Sequence, residues 1–209
     1  MKLYLSSYKV GNDAEGFKNL VNKANAKVAV IDNSRDYSVD LERKAKSLQS
    51  ELDAMTELGF DPEHLDLRNY FGKSEALFEK LSNFDAVWVI GGNSFLLRKA
   101  MEQSGFGRVI EGLIKTNKLV YAGYSAGIAV VAPSLKGVEL VDDPNVQVEG
   151  YNPEVIWEGY GLIDFYPIVH YDSDHPESHL VDVELEHIKS LGIKYKTLRD
   201  GDTIIIDTP

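Results

Sequence analysis

Residues 119–133 read LVYAGYSAGIAVVAP, and the fold follows from them. The apolar run 119–122 predicts a buried strand. The small apolar run 126–132 predicts a helix. Between them lies Gly123-Tyr124-Ser125-Ala126-Gly127, a G-x-S-x-G pattern in a strand–turn–helix setting. That setting is what a nucleophile elbow requires. A serine there occupies a strained turn with its hydroxyl exposed above a sheet. The flanking glycines admit neighbouring chains too close for a side chain. The Ala126 amide, at the helix N-terminus, is aimed where a reacting carbonyl oxygen would sit. The pentapeptide alone also fits a plain Gly-rich turn with an incidental serine. The strand before it and the helix after it favour the nucleophile.

Outward from this point the chain alternates strands with helices. Strands are predicted at 2–6, 28–31, 85–90, 165–170 and 203–206. Apolar residues at steps of three and four (Leu41, Ala45, Leu48, Leu52, Met55, Leu58) predict a helix closed by Gly59. Further helices are predicted over 94–103, 107–116 and 176–191. Pro167 makes the 165–170 run an edge or irregular strand. Strand–helix alternation implies an α/β fold whose mainly parallel sheet is covered on both faces. No linker or repeat divides the chain, so 1–209 is expected to be one domain.

The chain holds no cysteine, which excludes disulfides, zinc–thiolate sites and a cysteine nucleophile. The N-terminus MKLYLSSYKVGND has no long apolar core or cleavage pattern, so no signal peptide is expected. No stretch approaches a membrane span. A net charge of -11 repels nucleic acid and anionic lipid at long range. The expected location is cytoplasmic, without nucleic-acid or membrane partners, as monomer or homodimer.

A serine needs a base, usually a histidine oriented by a carboxylate. His64 falls in a polar loop and His187 among charged helical residues. His175 and His179 fall in the first turns of the 176–191 helix. His170 ends an apolar strand, and in parallel sheets sites form at the carboxyl ends of strands. The run His170, Asp172, Asp174, His175 also holds metal-ligand types, but its spacing matches no standard signature, and no metal or other cofactor is expected. Gly91-Gly92-Asn93-Ser94 is a second Gly-rich strand end, suited to an amide donor for an oxyanion hole.

Three ordered segments, VWVIGGNSFLL (87–97), LVYAGYSAGIAVVAP (119–133) and GLIDFYPIVHYDS (161–173), together resemble the peptidase E family of serine peptidases. That family includes aspartyl dipeptidases and is related to cyanophycinases. The resemblance implies a three-layer α/β/α fold similar to class I glutamine amidotransferases, with serine in place of their cysteine. It implies Ser125 as nucleophile, His170 as general base, and Gly92 and Ala126 as oxyanion donors. For the acidic member it offers two places. Asp200, in an Asp-Gly turn, is preferred; Asp142 and Asp143 are the alternative. The implied activity is hydrolysis of short peptides through an acyl-enzyme. Two rivals are an esterase or amidase with the same triad, and a binding protein that lost turnover. The aspartyl dipeptidases carry an arginine soon after the histidine. This chain has none before Arg199, so no strong preference for an N-terminal aspartate is expected.

Overall fold

A computed structural model describes residues 1–208. In chain order the elements are β1 (Lys2–Ser6), α1 (Ala14–Val21), β2 (Lys27–Ile31), α2 (Leu41–Glu57), β3 (Asp61–His64), α3 (Ser74–Leu81), β4 (Ala86–Val89), α4 (Ser94–Ser104), α5 (Phe106–Lys115), β5 (Val120–Tyr124), α6 (Ala126–Ala129), β6 (Tyr166–Ile168), α7 (Ser178–Ser190), β7 (Tyr195–Thr197) and β8 (Thr203–Asp207). The central sheet runs β3-β2-β4-β5-β1-β8. Its pairs are parallel except β1 with β8.

Strand side chains alternate between two apolar layers. Tyr4, Val28, Val30, Trp88 and Ala122 pack on one face with Phe17 and Leu20 of α1 and Met55 of α2. Leu3, Leu5, Ile31, Val87, Val89 and Tyr121 pack on the other with residues of α3, α4, α5 and α6. The result is the three-layer α/β arrangement expected from the alternation. β5 is left by a helix on one face and β1 by a helix on the other. The chain therefore departs from these two neighbours in opposite directions, and their carboxyl ends border a crevice.

Several details differ from the sequence reading. The segment 165–170 is not part of the central sheet: β6 pairs only with β7, in a separate two-stranded ladder. His170 lies two residues past β6 with φ +57°. β7 was not foreseen because Tyr195, Lys196 and Thr197 are all exposed and carry no apolar alternation. β3, also missed, is a polar edge strand containing Pro62, and its last residue is His64, which is not in a loop. α6 stops after four residues rather than reaching 132; beyond it the chain continues in tighter turns, Val131 N–H donating to Ile128 O and Ala132 N–H to Ala129 O. The early part of the α2 stripe is exposed, Leu41 by 73%. Those first turns wall a cavity instead of covering the sheet.

Candidate active site

Ser125 stands at the carboxyl end of β5 with φ +50° and ψ -114°, a sparsely populated conformation for a non-glycine residue. Close packing of β4 against β5 enforces the turn. A Cβ on Gly123 or Gly127 would meet the Val89 carbonyl oxygen at 2.8 or 2.4 Å, and one on Gly91 would meet Ser125 Cβ at 2.9 Å. Ala126 opens α6, so its N–H has no acceptor within the helix. Gly92 follows β4 with φ +151°, and a Cβ there would lie 2.7 Å from the Ser34 carbonyl oxygen.

The turn is held from below by a polar network. Arg35 donates from Nε to Gly91 O (2.8 Å), from Nη2 to the Tyr124 hydroxyl (3.0 Å), and from Nη1 to Ser47. The Tyr124 hydroxyl donates to Glu51 Oε1 (2.8 Å), and Trp88 Nε1 donates to Glu51 Oε2 (3.0 Å). Both Gly-rich strand ends are thus tied to α2.

His170 is buried, and its Nδ1 lies 2.6 Å from Asp200 Oδ1. The antiparallel course of β8 explains how Asp200 arrives. Thr203 starts β8 opposite Ser6, the last residue of β1, so the turn before β8 falls at the carboxyl ends of the parallel strands. The small ladder brings His170 to the same place, since Leu198 and Tyr171 continue the β6–β7 pairing. Ser7, fully buried, joins the two: its Oγ accepts from the His170 N–H (2.9 Å) and donates to Asp200 Oδ1 (3.1 Å). Asp200 N–H donates to Ser173 Oγ (2.8 Å).

Among the described residues no hydrogen bond joins Ser125 Oγ to His170, but both side chains border the same two cavities. With Nδ1 held by Asp200, Nε2 is the ring nitrogen left for that space. In unliganded sites such contacts are often long and tighten around substrate. Burial pushes the His170 pKa below the ordinary histidine value; His175 adds to this and Asp200 opposes it. The imidazole is therefore neutral, and basic, at pH 7.

The segment carrying Asp142 and Asp143 engages α4, not the imidazole. Asp142 Oδ2 accepts from the Ser94 N–H (2.8 Å), and Asp143 O accepts from Asn93 Nδ2 (2.8 Å). Burial raises Asp142 to about 6. Three of the other histidines lie elsewhere. His64 Nε2 is 2.8 Å from Asp32 Oδ1, and this bond raises its pKa. His179 is paired with the Pro176 carbonyl at an exposed position, and His187 sits in α7.

Sequence reasoning missed Ser7 and Tyr8, and set His175 aside as a residue of a helix start. His175 lies flat on His170, ring centroids 3.7 Å apart and planes 5° apart, and the Tyr8 ring edge meets both. The SSY run at 6–8 offered no pattern that could be read as a site. Ligand atoms of His170, His175 and Glu177 come within 4.8 Å of one another. A cation is bound along lone pairs in the imidazole planes. Two parallel stacked planes share no such point, so the arrangement does not suit joint chelation. Asp172, the other ligand type in that run, pairs with Arg199.

The main cavity, about 750 Å³, extends from His170 across Ser125 and Gly92 to Arg35, Arg43 and Lys44. Basic side chains thus border the cavity although no arginine closely follows His170. Arg35 reaches it from the β2 end, which is distant in sequence from the histidine. Arg98 is occupied by Glu102, Tyr160 and the Glu158 carbonyl.

Comparison with known proteins gives the family and the fold. The sequence pattern of peptidase family S51 matches residues 10–207. A protein named peptidase E from Streptomyces coelicolor is 34% identical over 135 residues, 61% of this chain and 51% of that one. An uncharacterised peptidase of Listeria monocytogenes is 30% identical over 123 residues, 57% of this chain and 55% of that one. The chain thus aligns with about half the length of these curated relatives. A crystal structure of a Listeria monocytogenes protein assigned to peptidase E superposes with a TM-score of 0.75 at 20% identity, covering 100% of this chain and 98% of that one. At that identity the likeness speaks for the fold.

Proposed function

Because the chain belongs to peptidase family S51, we propose that it is a serine hydrolase of short peptides, with Ser125 as nucleophile, His170 as general base and Asp200 as the carboxylate that orients it. The observation that carries this reading is the His170–Asp200 bond beside the strained serine turn at the head of α6. Asp200 holds the proton on Nδ1, so Nε2 accepts the Ser125 proton as Oγ attacks the peptide carbonyl. The carbonyl oxygen gains the negative charge and rests on the Gly92 and Ala126 amides. His170 then gives its proton to the leaving amine, and the C–N bond breaks. Water attacks the acyl-serine, its proton passing to His170 and on to Ser125.

The same reading takes the chain as one cytoplasmic domain, monomer or homodimer, without nucleic-acid or membrane partners. Its charge of -11 is consistent with that, and no helix among the described residues is long and apolar enough to cross a membrane. The test is a dipeptide library with the purified chain, together with fluorophosphonate labelling. Ser125→Ala should abolish labelling and lower turnover by about three to six orders of magnitude while leaving the melting temperature unchanged. Labelling of wild-type chain at another residue, or a tenth of activity left in the variant, would refute the assignment. Ester turnover without peptide turnover would point to an esterase. An unlabelled Ser125 in the folded wild-type chain would point to a binding protein.

A further inference from the structure

His175 has no part in the steps above, yet it makes the closest aromatic contact that His170 has. The rings are parallel, 3.7 Å between centroids. His175 precedes α7 in a tight turn: Glu177 N–H donates to its Nδ1 (3.3 Å), and Ser178 Oγ donates to its carbonyl oxygen (2.8 Å). The turn is braced, so the ring is presented to His170 rather than to solvent. Tyr8 closes the other side, with centroids 6.0 Å from His170 and 5.6 Å from His175.

Resting on the hydrolase reading, we propose that His175 is a positioning residue: it covers one face of the His170 imidazole, fixes its tilt toward Ser125, and competes with it for a single proton. Two stacked imidazolium rings would place like charges face to face in a partly buried site, so the doubly protonated pair is disfavoured. The groups facing the pair are Asp200 before β8, Asp174 and Glu177 before α7, Ser125 after β5, and Tyr8 after β1 with Lys9 over its ring. Asp200 and Glu177 favour one positive charge, with Glu177 Oε2 3.9 Å from His175 Nδ1. Catalysis needs His170 neutral before attack and charged after it. A flat ring on that face serves both states, because it holds the imidazole at one tilt whichever charge it carries.

The experiment compares wild type, His175→Phe and His175→Ala by imidazole NMR titration and by the pH dependence of fluorophosphonate labelling at Ser125. In the wild-type chain the His170 curve should carry two inflections, one from each ring of the pair. In His175→Phe it should carry one. Above the titration range His175→Phe should label within about threefold of wild type, because a flat ring is kept, and His175→Ala at least about tenfold slower. A single independent inflection for His170 in the wild-type chain, or labelling of His175→Ala at the wild-type rate, would overturn the proposal. Should His175→Ala unfold, the His175→Phe titration still decides. That arm needs no turnover. Failure of the hydrolase reading, seen as an unlabelled Ser125, is therefore told apart from failure of this one, seen as uncoupled titration.

Discussion

Glu184→Gln should stabilise the protein at alkaline pH and change little in acid. Glu184 lies on α7, 5% exposed, against the small cavity behind Ser125. Its Oε1 accepts from the Tyr166 hydroxyl at 2.5 Å. Burial raises its pKa from 4.5 to about 8; Asp142, Glu139 and Glu177 add to the rise, and the Tyr166 bond opposes it. The folded chain therefore holds a proton that the unfolded chain releases. For a carboxyl raised in this way, the stabilisation is complete below the unfolded value of 4.5 and is lost as pH climbs through about 8. At about 1.4 kcal/mol per decade of proton affinity, the displacement is worth at most about 5 kcal/mol, and relaxation around the charge brings it nearer 3. Glutamine keeps the shape and an acceptor for Tyr166 without the charge. Urea unfolding followed by circular dichroism should show the advantage of Glu184→Gln over wild type growing by roughly 2 kcal/mol between pH 6 and pH 9. Working above pH 6 leaves out Asp142, whose own transition lies between 3.8 and about 6. A constant difference between the two proteins across that range would refute the reasoning, since it would mean that Glu184 is ionised in the fold throughout.

Three further outcomes follow from the site. Asp200→Asn should keep the fold but lower turnover by about three to four orders of magnitude, because an amide NH₂ facing Nδ1 would turn the imidazole to the wrong tautomer; activity within tenfold of wild type would remove Asp200 from the triad. Gly127→Ala should cost at least about 2 kcal/mol in a denaturant melt, because its methyl would meet the Val89 carbonyl at 2.4 Å; an unchanged midpoint would contradict the close approach of β4 to the elbow. With the Arg35 donors committed to Gly91, Ser47 and Tyr124, kcat/KM for Asp-Leu over Leu-Leu should stay below about a hundredfold; a larger ratio would mean that Arg35 or Arg43 turns to the substrate.

What the sequence determined by itself was local. Residues 119–133 carry their own strand, turn and helix signals, so Ser125 was legible as an elbow residue. The burial of β2, β4 and β5 was legible because strands covered on both faces must be continuously apolar. Asp200 was reached only through resemblance to a family, since an Asp-Gly turn looks alike whatever it faces, whereas the Gly91-Gly92 strand end was legible as a possible amide donor. Tertiary structure alone decided the neighbours. Ser7 meets His170 across 163 residues. Arg35 reaches Tyr124 across 89. Asp200 is carried to the site by the antiparallel return of β8. None of these contacts has a periodicity or a propensity, because a side chain's partners are set by which strand ends the sheet places side by side. His175 shows the same limit: its sequence position announces the start of a helix, and only the packing of that helix start against His170 reveals what its ring touches.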